Sequence, residues 1–274
     1  MTRSILLLTC LAMSTVTFAE EPWPLAVRIH SYGDYQDAGY AYLEEIGVKY
    51  IFIAAPMPDE VETTMARLRE HNLTPLVVRG DAALSEESFA QDLAPQLAAA
   101  EEMGVKYKFV SAKRGESSKE TAYERLRAAG DIAKEHGVTI TLETHPDLGT
   151  NGAVQVETMR AVNHPNIRVN FDTANVTYYN HDTSAVDELK KSIGYVHTVE
   201  FKDHSGGFET WDFPVVGQGI VDFPTIVEML RRKAYQGPVT IEFEGTKGVE
   251  LNEAETKQAI ADSVAYVRTL SDFE

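Results

Sequence analysis

The chain has 274 residues, 43% of them hydrophobic, and a formal net charge of −17. That much apolar material can bury a core without stapling. The charge repels phosphate backbones, which argues against a nucleic-acid partner. The single cysteine, Cys10, lies in an apolar N-terminal run, so the chain beyond that run has no disulfide, thiolate nucleophile or thiolate metal site.

That N-terminal run reads as an export signal. Arg3 supplies a positive charge, Ile5 to Val16 is apolar and too short to span a bilayer comfortably, and Thr17 and Ala19 place small residues before a cleavage point after Ala19. Leu7-Leu8-Thr9-Cys10 faintly suggests a lipoprotein signal, but the run before the cysteine is very short and Thr9 fits poorly. The expected organisation is a signal peptide over 1–19 and one domain over 20–274, periplasmic or secreted, with no membrane anchor.

Strands and helices then alternate. Leu25 to His30 is a strand, followed by a helix through Tyr40, Leu43 and Ile46 that stops at Gly47. Lys49 to Ala55 and the helix Asp59 to Glu70 come next, then Leu73 to Arg79 and the helix Glu86 to Met103, closed by Gly104. Val105 to Ala112 precedes a long helix from Lys119 to His136; Val138 to Glu143 precedes a helix from Val154 to Val162. Ile167 to Phe171 and the helix Ser184 to Lys191 form the sixth unit. Tyr195 to Phe201 is followed by a longer loop and the helix Phe223 to Lys233. Pro238 to Phe243 and the helix Glu253 to Leu270 complete the chain. The strands are β-branched and mostly apolar on both faces, as buried parallel strands are. Eight such units predict an α/β fold, a (β/α)8 TIM barrel. A doubly wound sheet is disfavoured because no glycine-rich phosphate turn follows the first strand.

Barrel active sites lie at the C-terminal ends of the strands. Polar groups fall there at His30, Arg79, Lys113 and Arg114, Glu143 and His145, Asp172 and Asn175, Glu200, Lys202 and Asp203, and Glu242 and Glu244. Alternation puts Thr198, Glu200 and Lys202 on one face of the seventh strand and His197 on the other, which makes His197 a structural histidine rather than a ligand. Inward carboxylates from four successive strands cannot all stay ionised without a counter-charge. Either their pKa values rise, or nearby lysines and arginines pair with them, or a cation binds. An oxygen-rich set suits Mg²⁺ or Mn²⁺ better than Zn²⁺.

The strand ends TLETHP, FDTAN and VEFKD, and the segment VVGQGIVDFPTIVEMLRRKAYQGPVTIEFEG from Val215 to Gly245, resemble the sugar phosphate isomerase/epimerase family of xylose isomerase-like barrels. The resemblance covers about Gly104 to Gly245 and implies a metal held at Glu143, Asp172, Glu200 and Glu242. The seventh strand departs from the family pattern, with Glu200 where a histidine ligand normally stands. Three readings stay open there: Glu200 as an oxygen ligand, Glu200 as a base with His145 or water completing the cation, or metal binding weakened.

The resemblance also implies proton abstraction beside a carbonyl through a metal-stabilised enediolate. Glu143 and Glu242 would be the acid/base pair, and His145, Asn175, Lys113 and Lys202 would orient the substrate. The expected partner is a small sugar or keto-sugar; a homo-oligomer is compatible with this architecture. Isomerisation or epimerisation is the leading expectation, with β-elimination by a 3-keto-glycoside lyase or hydratase as the neighbouring alternative. A non-catalytic sugar-binding barrel is the reading from another class.

Overall fold

The computed structural model describes residues 22–80 and 82–274; the expected signal peptide and Cys10 lie outside the described residues. The strands are β1 (Leu25–Arg28), β2 (Tyr50–Ala54), β3 (Thr74–Arg79), β4 (Tyr107–Val110), β5 (Thr139–Glu143), β6 (Ile167–Asp172), β7 (Val196–Phe201), β8 (Asp212–Phe213), β9 (Val239–Ile241) and β10 (Gly245–Thr246). All but β8 and β10 pair in parallel and close into an eight-stranded barrel, β9 returning to β1. The helices are α1 (Gln36–Glu45), α2 (Val61–Glu70), α3 (Phe89–Glu102), α4 (Lys119–Glu135), α5 (Gly152–Val162), α6 (Asn175–Tyr179), α7 (Ala185–Ser192), α8 (Phe223–Arg232) and α9 (Glu253–Arg268). The chain is a TIM barrel, as its alternating pattern predicts.

Local chemistry sets the helix starts. Side chains of Ser118, Asn151, Ser184, Asp222 and Asn252 each accept a backbone N–H at the third residue beyond, taking up a donor that the first helical turn leaves unpaired. Outward-facing Val27, Ile51, Ile53, Val78, Ile140, Val169, Val199 and Ile241 pack under the helices in one continuous core.

Inside the barrel the expectation of strands apolar on both faces holds for one half only. Phe52, Val77 and Phe109 make a small apolar cluster on β2, β3 and β4. The other half is polar: alternation turns Thr141, Asn170, Thr198 and Thr240 inward, all buried, one step below the carboxylate-bearing positions. Thr198 Oγ1 donates to Asn170 Oδ1 at 2.6 Å, and Asn170 Nδ2 donates to Glu200 Oε2 at 2.7 Å. Asn170 and Thr198 are tolerated inside because they support the carboxylate above them.

Two features of the C-terminal face are absent from the periodicity. The short helix α6 follows β6 directly, and β8 pairs antiparallel with β10 to form a ribbon joining the loops after β7 and β9. Asp203 organises the first of those loops. Its Oδ2 accepts from the backbone N–H of Gly217 and Gly219 at 2.9 and 2.8 Å, and its Oδ1 from His204 and Val221 at 2.9 and 3.2 Å. A side chain at Gly219 would collide with the Asp203 carboxylate and the His204 carbonyl, and Gly217 sits at φ +95°. The Gly-x-Gly of VVGQG is thus the backbone cradle of a buried carboxylate. Asp203→Ala should cost about 3 kcal/mol or more, from the loss of charge-assisted hydrogen bonds to four backbone donors; urea unfolding midpoints against the parent chain check this.

Candidate active site

Strands β5, β6, β7 and β9 each deliver a carboxylate to the C-terminal mouth. Among the described residues, Glu143, Asp172 and Glu200 offer oxygens that all lie within 4.8 Å of one another. Oxygens sharing one divalent ion are separated by at most about twice the metal–oxygen distance of about 2.0–2.6 Å, so this spacing can hold one. A second observation supports the fit. Asp172 Oδ2 is buried with no hydrogen-bond donor, while Asp172 Oδ1 accepts from the backbone N–H of Ala174 and Asn175 at 2.8 and 2.9 Å. The start of α6 therefore orients the carboxylate and leaves its other oxygen aimed into the cluster.

Glu242, the fourth expected ligand, is not among these three, and two buried cations engage it. Arg28, on β1, places Nη1 between Glu242 Oε1, in a short contact, and Glu200 Oε1 at 3.1 Å. The rings of Phe52 and Phe109 lie 5.0 Å from its guanidinium carbon, so the apolar half of the interior clamps the cation that faces the polar half. Lys202, two residues beyond Glu200 on the same face, has its Nζ 3.4 Å from Glu242 Oε2 and 3.8 Å from Asp172 Oδ2, and pairs closely with Glu244.

The electrostatics follow from burial and these pairings. Burial lifts Asp172 to about 8 against the pull of Lys202, with Glu242 and Glu143 adding to the rise. Burial lifts Glu200 well above the carboxylate range, opposed by Arg28. Burial alone would lift Glu242 too, but Arg28 and Lys202 outweigh it and hold that carboxyl below its usual value. Burial works against the charged forms of Arg28 and Lys202 as well, but their carboxylate partners more than offset it and keep both protonated.

Most of the other expected site residues gather round this centre. Asn175 Nδ2 donates to Glu143 Oε1 at 3.2 Å, and Lys202 Nζ donates to Asn175 Oδ1 at 3.3 Å. β5 ends at Glu143, so His145 reaches the mouth from the loop, where its Nε2 meets Tyr179 Oη at 2.8 Å. Lys113 is exposed on the loop after β4 and makes none of these bonds. His197 is half-buried on β7, its pKa lowered by burial and by Arg168, and it takes no part in the cluster. Sequence reasoning missed Arg28. The signal was present, an arginine inside the apolar run LAVRI, but His30 is the more conspicuous polar group at that strand end.

Two outcomes test this arrangement. Arg28→Met should destabilise the chain by about 3–5 kcal/mol, because it strands Glu200 and Glu242 without their buried partner; chemical unfolding near neutral pH reads this. Asp172 binds its proton more tightly folded than unfolded, so its ionisation costs stability as pH rises from 3.8 to about 8. Asp172→Asn keeps the oxygen that accepts from Ala174 and Asn175 but removes the charge. It should flatten the decline in melting temperature across that window in metal-free buffer.

Comparison with known proteins agrees with the barrel. An L-ribulose 3-epimerase from Methylomonas sp. (strain DH-1) is 27% identical over 231 residues, 75% of this chain and 74% of its own length. An inosose dehydratase from Lacticaseibacillus casei is 26% identical over 138 residues, 45% of each chain. The structure of the IolI protein with a bound zinc atom superposes with a TM-score of 0.75 at 18% identity, over 91% of this chain and all of that one. These relatives in sequence are enzymes, an epimerase and a dehydratase. Residues 35–270 match the family directly, and the chain belongs to the xylose isomerase-like TIM barrels.

Proposed function

We propose that this chain is an exported, metal-dependent sugar isomerase or epimerase that removes a proton beside a carbonyl. One observation carries the reading. Three carboxylates converge at the barrel mouth, and a fourth is held ionised beside them by two buried cations. Glu143, Asp172 and Glu200 would hold the ion, and a hard ion such as Mn²⁺ or Mg²⁺ suits three carboxylates. Glu200, the residue in the usual histidine position, keeps a lone pair on each oxygen beyond those used by Arg28 and Asn170. When bound, the ion would supply positive charge to stabilise the oxyanion.

The chain's own groups then divide the proton transfer. Glu242, kept as a carboxylate by Arg28 and Lys202, takes the proton from the carbon beside the carbonyl. The C–H electron pair becomes the enediolate double bond and the carbonyl pair moves onto oxygen. Lys202, protonated within the cluster, offers that oxygen a charge-assisted donor. Glu143, steadied by Asn175 and protonated when the substrate binds, gives its proton to the opposite face of that carbon to form the epimer; it is left ionised and Glu242 protonated, and exchange with solvent resets both. His145 and Asn175 orient hydroxyls, and Lys113, exposed on the loop after β4, contacts the substrate from outside the cluster. The same first step also serves elimination, in which the electron pair expels a β-substituent instead of recovering a proton. A dehydratase among the relatives favours keeping that second reading, as a keto-glycoside lyase or hydratase.

The signal-like N-terminus supports a periplasmic or secreted location, where free or glycosidic sugars are the available substrates. Among the described residues no helix is long and apolar enough to cross a membrane. Glu143→Gln and Glu242→Gln should each lower turnover of a keto-sugar by about 10²–10⁴-fold with the fold unchanged by circular dichroism. Deuterium from solvent should enter the carbon beside the carbonyl. Near-normal rates in both variants would remove this acid/base pair. An absence of any Mn²⁺- or Mg²⁺-induced rise in melting temperature would favour a non-catalytic sugar-binding barrel.

A further inference from the structure

A cleft of about 540 Å³ opens beside the carboxylate centre, over the C-terminal ends of β1 and β9. Its volume falls within the roughly 300–1,000 Å³ of small-molecule sites. It is lined in part by His30, Asp34, Trp211, Glu244 and Glu250. None of these residues holds the cluster of Glu143, Asp172 and Glu200, yet the two spaces share a wall. Glu244 lines the cleft and pairs with Lys202, which also reaches Glu242 and Asp172.

An aromatic path joins the same two places. His145 lies 4.7 Å from the Tyr179 ring, Tyr179 stands edge-on to Tyr178 at 4.7 Å, and Tyr178 stands edge-on to Trp211 at 5.9 Å. Phe213 packs against Trp211 at 5.2 Å and receives Lys202 Nζ 4.2 Å from its centroid. The ribbon of β8 and β10 carries this group, so Trp211 is braced rather than loose. It is nevertheless 41% exposed, so its indole is open to a ligand in the cleft.

We infer that this cleft is a subsite for a second, neutral sugar ring, so that the substrate class is a glycoside of at least two rings. This rests on the reading that a sugar carbon reacts at the carboxylate centre. An indole offers a broad apolar surface for the C–H face of a pyranose, and Glu244, Asp34 and Glu250 accept from its hydroxyls. Asp34 and Glu250 repel phosphorylated and carboxylated sugars. A ring seated in the centre would project its glycosidic partner past Glu244 onto Trp211.

The tryptophans make the test direct. The chain has two. Trp23 is 3% exposed at the opposite end of the barrel, with its Nε1 donating to the Tyr235 carbonyl, so a ligand-induced emission change reports Trp211. Full-length protein is titrated with trehalose and methyl β-cellobioside, which have no free carbonyl and do not turn over, and with methyl β-glucoside as the one-ring control. At least one two-ring glycoside should shift the emission and bind at least tenfold more tightly than the control by calorimetry. Trp211→Ala should erase that preference, and Trp211→Phe should retain part of it. Equal affinity for one and two rings, or an unchanged ratio in Trp211→Ala, overturns the subsite. Deuterium exchange into keto-sugars separates this from the reading beneath it. Lost two-ring preference with exchange intact removes only the subsite, whereas retained preference without exchange into any keto-sugar removes only the reaction.

Discussion

Everything at the mouth of this barrel depends on one electrostatic constraint: carboxylates crowded into a buried volume must be neutralised or protonated. Glu143, Asp172, Glu200 and Glu242 share the space with two buried cations, Arg28 and Lys202, and the more exposed Glu244 pairs with Lys202 at its edge. Burial, with neighbouring carboxylates adding to it, raises the proton affinity of Asp172, Glu200 and Glu244. Glu242, the carboxylate that both cations reach, is the exception. A divalent ion at the triad would offset most of that negative charge.

The rest of the interior serves the same constraint. Phe52 and Phe109 hold the Arg28 guanidinium from the side where no carboxylate stands. Asn170 and Thr198, one layer below, fix the remaining oxygen of Glu200. The N-terminus of α6 fixes one oxygen of Asp172. Preorganised carboxylates of this kind need little rearrangement when charge develops on a substrate, which is the main lever of such catalysis. Glu200 shares Arg28 with Glu242, so one cation offsets part of the negative charge of both.

Much of this was legible in the chain. The eightfold alternation was strong because parallel strands and amphipathic helices have different periods, and the strand-end carboxylates stood out because each interrupts an apolar run. The side-chain alternation that set Glu200 against His197 was sound, since β7 remains extended through Phe201. Less legible were α6, too short for a period to register, and the β8–β10 ribbon, whose strands are two residues each. The Gly-x-Gly of VVGQG was visible as a pattern, but its cause, the Asp203 carboxylate fourteen residues upstream of Gly217, was not.

By itself, the sequence determined the barrel, the strands that carry the chemistry and the acidic residues at their ends, because these follow from local periodicity and from where polarity breaks it. Only the tertiary structure decided how those residues divide their work. Arg28 and Glu242 are 214 residues apart in the chain and meet only because β9 closes onto β1. That closure brings Arg28 between Glu242 and Glu200, and it sets Glu244 at the edge of a cleft that Trp211 also lines. Coulomb interactions depend on distance in space, and no spacing along the chain reports it.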